Sequence, residues 1–426
     1  MTSPDTFFDA LETRDPQLRE QALLAALPAQ IAHAQANTRA YAEILAGVAA
    51  SSIDSRAALA RLPVIRKSEL LARQQAQRAE DPFGGFAAIG WTGLLRASGA
   101  RRVFQSPGTI YEPEADGEGP DYWRVARALH AAGMRAGDLL HNGFSYHLTP
   151  AGAMMEGGAH ALGLTVFPGG VGNTELQLQA MVELRPQGFV GTPSFLKILL
   201  DKAAESAADV GSLRKALFSG EAFTPSLRDW FAARGVQGFQ CYATADLGLI
   251  AYETAAREGL VLAEGVIVEI VRPGTGEPLP DGEVGELVVT TLTPGYPLIR
   301  FGTGDLSAFM PGSCPTGRSN RRIRGWLGRA DQSAKVRGMF VHAGQVAEAL
   351  RRFPGLGRAR LVVEGEMAQD RMCLKVELAG AAPEGLAEGL AQAMREITKL
   401  RCEVLLLPAG SLPNDGKVIE DARSYQ

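Results

Sequence analysis

"PQGFVGTPSFLKILLDKAAES", from Pro186 to Ser206, decides how the middle of this 426-residue chain folds. Its first part is a short apolar run leaving through a glycine, the pattern of a buried strand. Thr192 then offers a hydroxyl as a helix N-cap, and Pro193 suits the first helical position, where its missing N–H costs nothing. The remainder reads as a helix. The same grammar repeats on both sides. "AGDLLHNGFS" ends a strand, "TPAGAMMEGGAHALG" is a helix whose Met154 and Met155 belong to the core, and "LTVFPGG" is a strand. "NTELQLQAMVEL" is a helix capped by Asn173 or Thr174. "LRKALFSGE" is a further strand, followed by the helix "TPSLRDWFAARG" with the same Thr-Pro start. Short apolar strands alternating with helices of about 12 residues predict parallel βαβ units.

Outward from this core the character changes twice. Residues 17–47 carry apolar side chains at helical spacing, and Pro28 predicts a break. Beyond Tyr242, "GVIVEIVRPGTGEPLPDGEVGELVVTTLTPGYPLIRFGTGDLSAF" is β-branched with closely spaced turns, which predicts antiparallel hairpins. The last hundred residues predict helix 343–352, strands 359–364 and 371–378, helix 384–399 and strand 402–407. The fold expected is α/β: a large N-terminal domain (1–330) of βαβ units with an antiparallel β region, then a small mobile α+β domain (331–426). The junction falls near "GWLGRADQSAKVRG".

Composition narrows the function classes. Apolar residues are 46% and charged residues 21%, and 43 basic against 47 acidic side chains leave −4. The basic cluster "RSNRRIR" is local and lacks interleaved aromatics, so neither nucleic-acid nor membrane-surface binding is expected. The acidic, proline-broken start does not read as a signal or transit peptide, and no apolar run is long enough to span a bilayer. Cys241, Cys314, Cys373 and Cys402 lie far apart without a CxxC pair. A cytoplasmic protein is the expectation.

Four stretches ask for more than folding. "LFSGEAFTP" and "QCYATADLG" leave strands at the end where open α/β sheets bind ligands, and Asp246 in the second could hold Mg2+ or simply cap a turn. "RFGTGD" sets Asp305 on a tight turn, placed to accept hydrogen bonds from a ribose diol or to lie in solvent. "GRADQSAKVRG" and the tail loop "SLPNDGKVIED" share the last interest, because Lys417 is the only lysine in the final 27 residues.

Taken in order, "GTPSFL", "SGEAF", "YATAD", "RFGTGD", "GRADQSAKVRG" and "LPNDGK" resemble the adenylate-forming ligase superfamily, in its phenylacetate–coenzyme A ligase branch. The helical opening through "LARLPVIRKSEL" is similar too. The resemblance implies an AMP-forming acid–thiol ligase that uses ATP, Mg2+ and coenzyme A. It implies that Gly220, Glu221 and Ala222 line the adenine. The backbone of Gln240, Cys241, Tyr242, Ala243 and Thr244 would lie beneath the nucleotide, and Asp246 would stand where the family holds Mg2+ with a glutamate. Asp305 would grip the ribose, Arg329 would lie near ribose and phosphate, and Asp331 would be the hinge. Lys417 would be the catalytic lysine, and Lys335, Arg337 and Gly338 would border the thiol's path.

The pattern departs from the family at the phosphate loop. No Thr-Thr-Gly-Lys occurs; instead "RRVFQSPGT" offers Ser106, Gly108 and Thr109, with Arg101 and Arg102 as cations, or else an ordinary surface hairpin. The branch often carries a cysteine-rich zinc site, of which only Cys314 remains, so no zinc is expected. Phe144, Tyr146 and Gly170 are the expected acyl-pocket rim, and aromatic walls over a glycine suit a small aryl or arylacetic acid. His147 is either a partner for a polar ring substituent or structural. A homodimer stays open as an arrangement. Two other functions also stay open: adenylation with an acceptor other than coenzyme A, and non-catalytic binding of a nucleotide or acyl-adenylate through a degenerate phosphate loop.

Overall fold

The computed structural model describes residues 6–89, 99–115, 119–272, 274–330, 333–337, 339–365, 370–380, 382–413 and 417–423. The chain divides into two compact units, one of Met1–Phe223 with Arg228–Leu327, the other of Gly328–Gln426 with the short segment Thr224–Leu227.

In the first unit the chain opens with helix α1 (Pro16–Asn37), capped by the Asp15 carboxylate, which accepts from the N–H groups of Gln17 and Leu18. Pro28 does not break it, contrary to the sequence reading. A proline inside a helix costs about 3 kcal/mol. Leu27 and Ile31 on the same turns are fully buried, each contributing roughly 1.5–3 kcal/mol, so packing outweighs the lost backbone bond. After two short helices, Arg39–Ile44 and Arg56–Leu59, the helix α2 (Lys67–Gln77) follows the two residues Ile65–Arg66. A hairpin of β1 (Ala100–Ser106) and β2 (Ile110–Ala115) comes next. Gln74 of α2 clamps it, exchanging two hydrogen bonds of 2.8 Å with the backbone of Tyr111.

The main sheet is built from β3 (Leu139–Asn142), β4 (Thr165–Phe167), β5 (Gly188–Gly191), β6 (Lys215–Phe218) and β7 (Gln237–Thr244). These lie in the order β4-β3-β5-β6-β7 and are all parallel. Helices α3 (Ala151–Ala161), α4 (Thr174–Leu184), α5 (Pro193–Glu205) and α6 (Pro225–Ala232) connect them. Thr192 caps α5 through Phe195 N, and Thr224 caps α6 through Leu227 N, as the Thr-Pro starts predict. Neither Asn173 nor Thr174 caps α4 by its side chain: Asn173 is left-handed at φ 47° and makes no capping bond. Met154 and Met155 are buried in the core. The sheet continues antiparallel through β8 (Gly248–Glu253) and β9 (Leu260–Leu262). The strand order reverses between β3 and β5, which fixes a crevice outside their carboxyl ends.

A second, antiparallel sheet stacks β10 (Val266–Val271), β11 (Gly285–Thr291) and β12 (Phe301–Ser307), with Ile65–Arg66 parallel to β12. Asp305 therefore lies inside a strand and is buried, rather than on a tight turn or in solvent. A bulge between Glu286 and Val288 bends the partner strand opposite it.

The second unit has its own core, in which Val346, Leu361, Leu374, Leu390 and Met394 are fully buried. A hairpin, β13 (Ser333–Val336) and β14 (Met339–His342), leads into α7 (Ala343–Arg351). The sheet β17 (Glu403–Pro408), β16 (Arg371–Leu378), β15 (Ala359–Glu364), β18 (Ile419–Asp421) is backed by α8 (Leu386–Thr398). The expected αββαβ order is present, with β13, β14 and β18 added to it.

Candidate active site

The crevice end of the main sheet gathers most of the residues singled out in the sequence. Gly220, at φ +82°, turns the chain out of β6, and Glu221 accepts from Ser194 N at the start of α5. Ala222 is exposed beside them. The next strand supplies Gln240, Cys241, Tyr242, Ala243 and Thr244. Gln240 N donates to Glu253, and burial pushes the Cys241 thiol up to about 12, so Cys241 brings backbone and not a nucleophile. A bulge falls between Tyr242 and Ala243, and Thr244 Oγ accepts from Leu247 N, closing the loop that carries Asp246.

Tyr242 reaches the second sheet. Its hydroxyl donates to Asp305 Oδ2 at 2.6 Å, while Trp326 Nε1 donates to Asp305 Oδ1 at 3.0 Å. Both oxygens of this buried carboxylate are thus met by neutral donors. Hydroxyl groups of a sugar could take over those positions without changing the net charge of the site.

Asp246 sits in a different setting. Lys67, the first residue of α2, donates to its Oδ2 at 2.8 Å, and the pairing of Ile65–Arg66 with Phe301–Gly302 positions that lysine. Glu112 of β2 lies against Asp246. Burial first, then the charge of Asp246, hold the Glu112 carboxyl well above its usual range, against the opposing pull of Lys67 and Ser106. Asp246 Oδ1 meets no N–H or hydroxyl donor, and the hydrogen bond shared by the two carboxyls is the contact left to it. Lys67 and Glu112 escaped the sequence reading: Lys67 was part of an opening helix and Glu112 of a hairpin strand.

The expected phosphate residues form the tip of the β1–β2 hairpin. Gly108 (φ +97°) and Thr109 (φ +63°) are both left-handed, a costly backbone for a β-branched residue, and Arg78 holds the Thr109 carbonyl. The Ser106 hydroxyl is buried and donates to Glu112 Oε1 at 2.5 Å. Arg101 and Arg102 both pair with Glu114, at 3.6 and 3.0 Å.

The three expected acyl-rim residues share one support that the sequence reading missed. Asn142, fully buried at the carboxyl end of β3, donates from Nδ2 to the Tyr146 hydroxyl and to Gly152 O, each at 2.8 Å. Its Oδ1 accepts from Phe144 N, and its carbonyl accepts from Gly170 N. Tyr146 in turn donates to Glu156, and burial first, then that carboxylate, raise its hydroxyl pKa. Behind this rim His141 stacks on Phe189 and meets Gln177 Oε1 at 2.7 Å, and Gln177 holds the carbonyls of Gly170 and Gly172. Since the Gln177 oxygen only accepts, His141 carries its proton on Nε2. His147 lies exposed, its N–H on Ser145.

In the second unit Lys417 is exposed, two residues before β18. The carbonyl of Val418 accepts from Leu361 N, anchoring this end of the segment. Arg337 is exposed and left-handed at φ 47°, with its N–H on Asp370. Arg329 lies in the strand Gly328–Arg329 and Lys335 in β13. Asp331 and Gly338 fall outside the described residues. No group of three or more His, Cys, Asp or Glu suited to a metal occurs among the described residues. No described helix is long and apolar enough to cross a membrane.

Residues 140–296, which span this crevice, match the family model of the AMP-binding enzymes. The chain is 34% identical to the phenylacetate–coenzyme A ligase of Aromatoleum evansii over 346 residues, covering 78% of this chain and 75% of that one. It belongs to the adenylate-forming ligases, in their phenylacetate–coenzyme A ligase branch. The Thermus thermophilus phenylacetate–coenzyme A ligase is 32% identical over 389 residues, covering 83% and 84%. The enzyme class of this branch is the AMP-forming acid–thiol ligase. A crystal structure of 2-hydroxyisobutyryl-CoA ligase with its acyl-AMP and CoA shares the fold, with TM-score 0.81 at 24% identity over 100% of this chain and 94% of that one.

Proposed function

We propose that this ligase activates a small aromatic carboxylic acid, aryl or arylacetic, as its acyl-adenylate and then passes the acyl group to coenzyme A. The observation that carries the nucleotide half is the Tyr242–Asp305–Trp326 arrangement. A buried carboxylate holding two neutral donors beside a strand-end crevice is suited to exchange them for the two ribose hydroxyls. Gly220, Glu221 and Ala222 would border the adenine, and the bulged Gln240–Thr244 backbone would pass under it. Arg329 would face the ribose and phosphate, and Ser106, Gly108 and Thr109 the outgoing phosphates.

Mg2+ supplies positive charge to the triphosphate as the α-phosphate is attacked. Asp246 would hold it through its carboxylate, buried at the strand-end crevice. Phe144, Tyr146 and Gly170, tied together by Asn142, would present a flat aromatic wall to the acid, which supports the aromatic assignment. Lys417 would bridge the attacking carboxylate and the α-phosphate, offsetting the repulsion of two anions and stabilising the charge that builds on the phosphoryl oxygens. With Asp331 as the hinge, Lys335, Arg337 and Gly338 would then border the route by which the thiol displaces AMP.

The test is acid-dependent exchange of labelled pyrophosphate into ATP across a panel of aryl, arylacetic and short aliphatic acids. Exchange with an aromatic acid, and AMP release that requires coenzyme A, are the expected results. Exchange with aliphatic acids alone would overturn the aromatic assignment. Full AMP release without coenzyme A would overturn the acceptor.

A further inference from the structure

In the second unit one carboxylate that the proposed chemistry leaves unused holds two of its segments. The β13–β14 ladder closes with Val336 opposite Met339, which leaves a loop of two residues, Arg337 and Gly338. Loops of this length favour Asn, Asp or Gly in first place, because that residue takes a positive φ. Here the first place holds an arginine at φ 47°, a backbone that its Cβ makes costly. A residue in such a state persists only where its surroundings fix it.

Asp370, immediately before β16, fixes it. Its Oδ2 accepts from Arg337 N and its carbonyl from Arg337 Nε, each at 3.2 Å, so main chain and side chain are pinned together. The same Oδ2 accepts from Arg423 Nη1 at 3.0 Å. Arg423 in turn grips both oxygens of Asp421, the last residue of β18, at 2.7 and 2.5 Å. The side chains of Asp370 and Arg423 are only 17% and 11% exposed, whereas the surface pair Arg352–Glu396 is 43% and 52% exposed. A shielded pair holds its geometry better than an exposed one, which contributes little.

We infer that Asp370 is a positioning residue for the thiol step. It sets the Arg337 turn, and with it the border of the thiol's path, against the strand that follows Lys417. This rests on the reading of Lys335, Arg337 and Gly338 as that border. Lys417 has anchorage of its own nearby, since β18 pairs with β15 and Leu361 N donates to Val418 O. Losing Asp370 therefore loosens the turn and leaves the lysine's strand in place. The two half-reactions come apart.

The experiment measures pyrophosphate exchange and coenzyme-A-dependent AMP release on the full-length protein, for the parent, Asp370→Ala, Asp370→Asn, Arg337→Gly and the double variant Arg337→Gly with Asp370→Ala. Asp370→Ala should lose about tenfold or more in kcat/KM for coenzyme A, with exchange and thermal midpoint close to the parent's. Asp370→Asn keeps an acceptor for Arg337 N and should lose less. Glycine adopts a positive φ unaided, so Asp370→Ala should cost little more once Arg337→Gly is present. Full additivity in the double variant would place the action of Asp370 elsewhere and overturn the inference. Equal losses in exchange and in the coenzyme A step would make Asp370 structural only. Should Asp370→Ala fail to fold, Asp370→Asn carries the test, and an unchanged coenzyme A dependence there counts against the role. A parent whose AMP release ignores coenzyme A overturns the acceptor reading and this inference with it. A parent that requires coenzyme A, beside an unchanged Asp370→Ala, overturns this inference alone.

Discussion

The two units keep their charged site residues in opposite ways. In the first, Asp305 and Asp246 are buried and already engaged, one by Tyr242 and Trp326, the other by Lys67. In the second, Lys417 is exposed at the start of a short strand. A buried carboxylate needs partners before any ligand arrives, because an unpaired buried charge is expensive. An exposed ammonium keeps much of its hydration, so its place in the fold depends less on such a shell. On the function proposed above, the difference would let residues of the first unit serve folding and binding together, whereas the lysine of the second would serve the chemical step.

The largest expected effect tests the second half of that contrast. Lys417→Ala should lower pyrophosphate exchange by roughly 10²–10³ through loss of one preorganised donor, while the thermal midpoint stays that of the parent. A midpoint that falls along with the rate would show that Lys417 is structural after all and break the contrast.

Asp305→Ala probes the other half. It removes the acceptor of the Tyr242 hydroxyl and the Trp326 N–H, half-buried donors, and should cost about 1–3 kcal/mol in urea unfolding. It should also raise the KM for ATP. Tyr242→Phe sharpens the point, since it removes one of the carboxylate's donors and should cost about 1 kcal/mol with a smaller change in KM. An Asp305→Ala protein as stable as the parent would mean the two donors do not depend on the acid.

What the sequence displayed and what it hid divide along the same lines. Alternating apolar patterns are local, and β15 and β16 begin and end where the pattern does, at Ala359–Glu364 and Arg371–Leu378. The strand β18 has only three residues and no pattern of its own. The hairpin β13–β14 was hidden because "SAKVRGMFVH" reads as a charged junction. Motifs located Asp305 and Asp246, but not what surrounds them. Tyr242 is 63 positions from Asp305 and Lys67 is 179 from Asp246, separations at which no periodicity links two residues. Asn142 stood in plain view beside Phe144 in "HNGFSY", yet its role comes from four bonds made by the fold.

The smallest expected effect belongs to His141, the buried neighbour of the acyl rim. Burial lowers its pKa, with the Gln177 hydrogen bond opposing. In the unfolded chain a histidine takes its proton near pH 6.5. Above that value both states are neutral at this site and it contributes no slope. Below it the unfolded chain binds a proton that the folded chain refuses, so stability falls as pH drops, by up to about 1.4 kcal/mol per pH unit until the lower folded value is reached. Urea midpoints at pH 7.5 and 5.5 measure the drop. His141→Phe, placed between Phe167 and Phe189, should lose stability at both values, because Gln177 is left without its partner, but should flatten the fall between them. Equal slopes in parent and variant would mean that His141 accepts its proton in the fold, and that the rim beside it tolerates a charge as readily as the exposed surface around Lys417.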